Sequence, residues 1–249
     1  MRCHMPTAPR VAFFATCLAD FVFPDIAGNA VLLLEQAGCQ VIFNPRQTCC
    51  GQPLINAGFH AEAFRTAALQ IDVLLEDEAD FVVCPSGSCA LQIRKYADLF
   101  SDKPALAAKA RHLAAKTFEL TDFLVNVMGL TDFGARLAGK AVYHPSCHMT
   151  RMLGVKDPPL ALLDKVEGLQ LVRCKGQERC CGFGGLFAVK LGALSGAMAR
   201  EKVENILETG ARFLIGADAG CLMHLEGVIR REKYPLTVYH ITQVLMQGR

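Results

Sequence analysis

Two copies of the triplet Cys-Cys-Gly constrain this chain more than any other feature of its sequence. They occupy residues 49–51 and 180–182. Each triplet also has one cysteine upstream of it and one downstream. These flanking cysteines are Cys17 and Cys89 in the first half and Cys147 and Cys221 in the second, and they recur at almost the same spacing as the triplets. A recurrence of four cysteines at nearly constant spacing indicates that the chain is a duplicated unit.

The duplication predicts two domains of similar size. We place a first cysteine-rich (CCG) repeat at residues 1–135 and a second at residues 136–249. A chain of 249 residues with 52% hydrophobic content can bury a sizeable core, either in one domain or in two half-size lobes.

Short apolar runs that read as buried strands precede the cysteines in both halves. In the first half they are Val11–Ala15, Val41–Phe43, Asp80–Val83 and Thr117–Leu120, and in the second half Ala141–Tyr143, Leu169–Val172, Phe213–Ile215 and Leu236–His240. Helical patterns lie between the strands, for example at residues 24–37, 60–77 and 122–128. Alternating strands and helices predict an α/β fold: two lobes related by a pseudo-twofold axis, with parallel sheets flanked by helices. Ligands of such sheets bind beyond the carboxyl ends of the strands, where these cysteines fall.

The duplication also separates candidate ligands from other cysteines. We expect the eight paired residues to bind a metal or cofactor; they are Cys17, Cys49, Cys50, Cys89, Cys147, Cys180, Cys181 and Cys221. Cys39, Cys84 and Cys174 have no cysteine counterpart, since Leu169, Gly216 and Asn44 stand opposite them. We expect these three to be buried thiols, and Cys3 to be incidental.

Four thiolates in each half suit one iron–sulfur cluster in each half. Adjacent cysteines reach one cluster only if the backbone wraps closely around it, and a following glycine, Gly51 or Gly182, permits that conformation. Zinc in a closed tetrahedral site also accepts four thiolates, so the number of ligands leaves zinc open in one or both sites.

Charge and motif content argue against other classes of function. With 26 basic and 24 acidic residues the chain offers no electrostatic reason to bind nucleic acid. No signal-peptide core and no apolar run of membrane-spanning length is present in the sequence, which favours a cytoplasmic protein whose cysteines are ligands or thiols rather than disulfides. Nucleotide-binding and serine-hydrolase signatures are also absent from the sequence.

Several motifs resemble the cysteine-rich (CCG) domain family, which includes the heterodisulfide reductase B subunit and the iron–sulfur subunit of glycolate oxidase. The motifs are residues 49–53 (CCGQP), 85–89 (PSGSC), 180–190 (CCGFGGLFAVK) and 218–221 (DAGC). They are most similar to the members that serve lactate utilization. This resemblance implies an iron–sulfur electron-transfer subunit of a cytosolic complex that oxidises L-lactate, or a related 2-hydroxy acid, to pyruvate. It also implies a ferredoxin-like iron–sulfur partner and a further subunit.

The chain departs from the heterodisulfide reductase pattern at one point in each half. That pattern ends in Cys-x-x-Cys, whereas Ser86 and Asp218 replace the first of those cysteines here. Five-thiolate ligation is thus excluded and a 4Fe–4S cluster is the expected type, although an oxygen ligand from either residue stays open. The alternatives are a heterodisulfide-reductase-like redox subunit and a zinc-stabilised scaffold without catalysis.

The remaining polar candidates are weaker, and no catalytic residue can be named. His144 and His148 flank Cys147 and could move a proton or hydrogen-bond a cluster sulfur. The simpler expectation is that both satisfy local backbone groups. Lys190 could hold a carboxylate or offset cluster charge.

Overall fold

The computed structural model describes residues 8–248 and divides between Leu130 and Thr131 into two compact units. Each unit is built on a parallel four-stranded sheet, counted over the described residues. The prediction of an α/β fold with parallel sheets flanked by helices is therefore confirmed. The domain boundary between residues 135 and 136 stays a prediction.

The first sheet has the order β2-β1-β3-β4. Its strands are β1 (Arg10–Phe13), β2 (Gln40–Ile42), β3 (Phe81–Cys84) and β4 (Thr117–Glu119), and every neighbouring pair is parallel. Because β1 is central, the chain leaves it in one direction to reach β2 and later returns on the other side as β3. The order reverses between β1 and β3, which is where α/β sheets form ligand sites at their carboxyl edge.

Helices connect these strands. They are α1 (Cys17–Phe21), α2 (Pro24–Gln36), α3 (Gln52–Ala57), α4 (His60–Glu76), α5 (Gly87–Arg94), α6 (Tyr96–Leu99), α7 (Pro104–Ala115) and α8 (Leu120–Asp122), which continues as a π-helix over Phe123–Val127. In α4, Ala63, Ala67, Ile71 and Leu74 recur at three- and four-residue intervals and are buried. This periodicity turns one stripe of the helix toward the core, and burial of each large aliphatic side chain contributes about 1.5–3 kcal/mol.

The second sheet repeats the first, with the order β6-β5-β7-β8. Its strands are β5 (Arg136–His144), β6 (Glu167–Leu171), β7 (Phe213–Gly216) and β8 (Thr237–His240), again all parallel. The helices are a π-helix over His148–Met152, α9 (Asp157–Leu163), α10 (Leu186–Lys190), α11 (Gly192–Leu207), α12 (Ala219–Glu232) and α13 (Ile241–Leu245).

The predicted strands all form, with β5 longer than expected because it starts at Arg136. The helix predicted at residues 122–128 forms as a π-helix after the short α8. Cys3 lies outside the described residues. Among residues 8–248, none of the helices has the length and apolar content that crossing a membrane requires.

Candidate metal centres

The first group of cysteines lies at the carboxyl edge of the first sheet. Cys17 begins α1, a few residues after β1, and Cys89 lies in the first turn of α5, after β3. Cys49 and Cys50 end the loop that follows β2. Thr16, directly before Cys17, has a φ of 68°, a strained value for a β-branched residue, and its hydroxyl accepts a hydrogen bond from the Ala19 amide at 3.4 Å.

Hydrogen bonds between thiols link these four side chains. The Cys17 Sγ donates to the Cys49 Sγ at 3.7 Å, and Cys50 interacts with both Cys49 and Cys89. The hydrogen bond from Cys17, joined by a second from Cys50, lowers the pKa of Cys49 to about 3. The same interaction with Cys49 raises the pKa of Cys17 above its ordinary value. One sulfur of the group thus accepts hydrogen bonds from its neighbours.

The second group repeats this arrangement. Cys147 interacts with Cys180 and Cys180 with Cys181, and the Cys181 Sγ donates to the Cys221 Sγ at 3.1 Å. The hydrogen bond from Cys147 lowers the pKa of Cys180 well below its ordinary value, and the same bond raises the pKa of Cys147. Cys221 occupies the same place in the first turn of α12 as Cys89 in α5. Each unit thus brings together the four cysteines that the sequence assigned to it.

The glycine of the second triplet is required by its surroundings. Gly182 has a φ of +89°, and an added Cβ would lie 2.7 Å from the Ser195 carbonyl oxygen and 3.0 Å from the Met198 Cβ. Its amide donates to the Cys180 Sγ at 3.4 Å. The close approach to α11 and the left-handed conformation together bring this amide to the sulfur, and neither tolerates a side chain.

A glutamine fixes the loop before each triplet. The Gln47 Nε2 donates to the Phe13 carbonyl at 3.0 Å, and the Gln177 Nε2 donates to the Tyr143 carbonyl at 3.0 Å. The two donors are equivalent under the duplication, and so are the two acceptors, because each pair has the spacing that relates Cys17 to Cys147. Sequence reasoning missed these glutamines, although the repeat that revealed the cysteines also contains them.

Two buried polar residues adjoin the second group of cysteines. A ring nitrogen of His144 and the Sγ atoms of Cys181 and Cys221 all lie within 4.8 Å of one another, and His144 is 3% exposed. Neither ring nitrogen has a hydrogen-bond partner among the described residues, so the expectation that His144 satisfies backbone groups is wrong. Burial lowers its pKa to about 3, so the ring is neutral. Lys202 is also buried, and its Nζ donates to the Gln177 carbonyl at 3.0 Å.

The first group has a different neighbour. The Tyr96 hydroxyl, fully buried, donates to the Cys50 carbonyl at 2.8 Å. In the second unit Val228 occupies the position equivalent to Tyr96, because these two residues have the spacing that relates Cys89 to Cys221. No motif in the sequence marked Tyr96 or Lys202, because each acts through a hydrogen bond to a loop that is distant in the chain.

Two of the three unpaired cysteines are buried, as expected, and the third, Cys174, is only partly so. Cys39 and Cys84 are buried, and Cys174 is half-buried against the apolar core of the second unit. Burial raises the pKa of Cys39 to about 11 and also raises that of Cys84. The Cys84 Sγ donates to the Ser86 and Phe118 carbonyls at 3.5 and 3.9 Å.

Ser86 and Asp218 directly precede α5 and α12 and are buried. The Ser86 hydroxyl pairs with that of Ser88 at 3.1 Å, and the Asp218 carboxylate accepts from the Ser146 hydroxyl at 3.4 Å. These contacts fit hydrogen-bonding roles at the helix starts. Of the weaker candidates, Lys190 is exposed at the end of α10, and His148 is half-buried at the start of its π-helix.

The donor atoms present fit a thiophilic metal or an iron–sulfur cluster. Each group offers four sulfur atoms at a sheet edge, with backbone amides directed at sulfur. The imidazole buried beside the second group has no hydrogen-bond partner among the described residues. Without a bound group to contact, its polar atoms would stay unsatisfied at a cost of about 1–3 kcal/mol each. The fold and the two cysteine groups define a class of duplicated cysteine-rich α/β proteins.

The comparisons with known proteins agree with this class. The family model described as "Cysteine-rich domain" (CCG) matches twice, at residues 11–94 and 141–226. Proteins called "Lactate utilization protein A" are 48% identical in Exiguobacterium sp., over 96% of this chain and 98% of that one, and 50% identical in Geobacillus kaustophilus, over 95% and 98%. The Bacillus subtilis protein of that name is 48% identical over 95% and 98%. The chain belongs to the cysteine-rich (CCG) domain family and, within it, to the group of the lactate utilization A proteins.

A solved structure shares the fold. The crystal structure of a hypothetical protein from Helicobacter pylori matches 97% of this chain with a TM-score of 0.70 at 12% identity. The chain spans about half (49%) of the length of that protein. At this identity the match supports the fold alone.

Proposed function

We propose that this protein is an iron–sulfur electron-transfer subunit of a cytoplasmic system that oxidises L-lactate, or a related 2-hydroxy acid, to pyruvate. The observation that carries the proposal is the gathering of four cysteine side chains at the carboxyl edge of each sheet. The names of its relatives supply the substrate class.

We assign one centre to each unit. The first is held by Cys17, Cys49, Cys50 and Cys89, and the second by Cys147, Cys180, Cys181 and Cys221. A 4Fe–4S cluster in each would accept and release single electrons. The chain's own contribution is to hold four thiolates in place, to direct backbone amides such as that of Gly182 at sulfur, and to exclude water by burying Cys50 and Cys181.

Exposed apolar side chains near the cysteines support a role that requires partners. Phe21 and Phe59 are 88% and 57% exposed on elements adjoining Cys17 and Cys50, and Val189 and Leu191 are 79% and 52% exposed after the second triplet. Exposed large apolar groups on the elements of a site are characteristic of protein contacts. We propose that a ferredoxin-like iron–sulfur protein and a further subunit dock here and complete the electron path.

The experiment is to purify the chain anaerobically and measure iron, acid-labile sulfide and zinc. Lactate and an artificial electron acceptor are then added with and without the partner subunits. We expect iron with sulfide, and pyruvate only when the partners are present, because no base and arginine clamp for a 2-hydroxy acid was identified in the sequence. Zinc without sulfide would favour the scaffold alternative. Steady turnover by the chain alone, abolished by Lys190→Ala or His148→Ala, would make it the dehydrogenase itself.

A further inference from the structure

The two cysteine groups share their sulfur positions but not their surroundings. Phe14 follows β1 and His144 ends β5, and the duplication makes these two positions equivalent. The same spacing relates their neighbours Phe13 and Tyr143, whose carbonyls accept from equivalent glutamines. Phe14 is fully buried and apolar. An imidazole therefore stands in the second unit where a phenyl ring stands in the first.

A second pair of equivalent positions differs in charge. Ala63 and Thr66 of α4 face Gly51, and their counterparts Ser195 and Met198 of α11 face Gly182. The spacing that relates these residues also places Lys202 at the position of Gln70. Both side chains bind the backbone of the loop before the triplet: the Gln70 Oε1 accepts from the Thr48 amide at 2.9 Å, and the Lys202 Nζ donates to the Gln177 carbonyl. A basic side chain, whose pKa burial lowers, thus replaces a neutral amide.

The position of His144 places its ring beside the sulfur atoms of the second cysteine group. Its nitrogens are buried without a hydrogen-bond partner among the described residues, a state that proteins rarely leave uncompensated. One nitrogen lies within 4.8 Å of the Sγ atoms of both Cys181 and Cys221. Four cysteines already supply one ligand to each iron of a 4Fe–4S cluster. The imidazole would therefore contact a cluster held between those sulfurs by donating an N–H···S hydrogen bond.

We infer that His144 contacts the group bound in the second site through a ring nitrogen, and that the two centres are therefore chemically different. The first unit has Phe14 and Gln70 at the positions that His144 and Lys202 occupy in the second. An N–H···S hydrogen bond stabilises the reduced, more negative state of a cluster, and so does positive charge on the nearby Lys202, so the second centre has the higher reduction potential. This inference rests on the proposed function for the presence of the clusters.

The test uses variants that isolate one centre. Cys50→Ala is expected to leave only the second centre, and Cys181→Ala only the first. In the Cys50→Ala protein with histidine labelled by nitrogen-15, pulsed electron paramagnetic resonance is expected to detect a histidine nitrogen coupled to the reduced centre. The coupling is lost and the midpoint potential falls when His144→Phe is added. Phe14→Leu in the Cys181→Ala protein is the matched control: the first centre should show no histidine coupling, and its midpoint potential should not change.

His144→Gln serves as a second variant if His144→Phe does not fold, as judged by circular dichroism. It should remove the imidazole coupling while keeping a polar side chain. A small coupling would identify the hydrogen bond and support the inference, whereas a large one would identify an iron–nitrogen bond and contradict the four-cysteine ligand set of the second centre. If iron and sulfide are bound but no histidine coupling is seen, or if it survives both substitutions, the inference is wrong while the proposed function stands. If the unsubstituted chain binds no iron either, both fail.

Discussion

The Sγ atoms of Cys181 and Cys221 lie 3.1 Å apart although the two residues are distant in the chain. Cys181 lies in the loop between the edge strand β6 and α10, whereas Cys221 lies in the first turn of α12, beyond the central strand β7. The parallel sheet brings the two together because the carboxyl ends of all its strands lie at one edge. The site is thus a consequence of topology, with Gly182 fixing the last turn of the backbone.

Gly182→Ala should destabilise the second unit. The left-handed φ and the contact at 2.7 Å with the Ser195 carbonyl together predict a loss of about 2–4 kcal/mol in the free energy of unfolding. Iron bound by the second centre should fall with it. Urea unfolding followed by circular dichroism measures the stability.

Gly196→Ala is the matched control for this variant. Gly196 lies in α11 with open space around its Cα, so alanine should stabilise the helix by about 0.5–1 kcal/mol. Equal unfolding free energies for Gly182→Ala and Gly196→Ala would contradict the role given to Gly182.

Cys84→Ser should retain the iron of the first centre, because Gly216 stands opposite Cys84 and its sulfur already bonds to the Ser86 carbonyl. The expected cost is on the order of 1 kcal/mol of stability. Cys89→Ser, a little further along the chain, is the matched variant and should lose that iron. Iron analysis of both proteins checks the assignment, which fails if Cys84→Ser also empties the centre. Cys39→Ala and Cys174→Ser should behave as Cys84→Ser does.

The cysteine groups and the strands could be predicted from the sequence because local patterns of residues determine them. The duplicated spacing identified two groups of four cysteines, and apolar runs such as Val41–Phe43 identified the strands. The short helices α3 and α10, which follow the two triplets, were not predicted because neither has a fully buried residue to give it an apolar stripe. That the His144 ring nitrogens lack a hydrogen-bond partner among the described residues could not be predicted either, since it depends on which residues distant in the chain pack around the ring.

The buried carboxyl of Glu119 should make stability depend on pH. Burial raises its pKa to about 8, against an ordinary value of 4.5, although hydrogen bonds from the Thr121 hydroxyl and amide and the Asp122 amide act in the opposite direction. As pH rises, the unfolded chain releases this proton before the folded chain does. The free energy of unfolding should therefore fall between about pH 4.5 and 8, by roughly 3–5 kcal/mol, and level off above that range.

Glu119→Gln removes the titrating group and should flatten this part of the stability curve. Urea unfolding of both proteins across the same pH range isolates the contribution of Glu119, because all other groups are shared. Parallel curves for the two proteins would show that the Glu119 carboxyl titrates normally.

The central claim, that each unit closes its own four-cysteine iron–sulfur centre, is tested most directly by counting iron and acid-labile sulfide in three anaerobically purified proteins. These are the unsubstituted chain, Cys50→Ala and Cys181→Ala. Each variant should retain about half of the iron and sulfide of the unsubstituted chain, because four thiolates remain intact in the other unit. A single substitution that empties both units, or that removes no iron at all, would contradict the assignment.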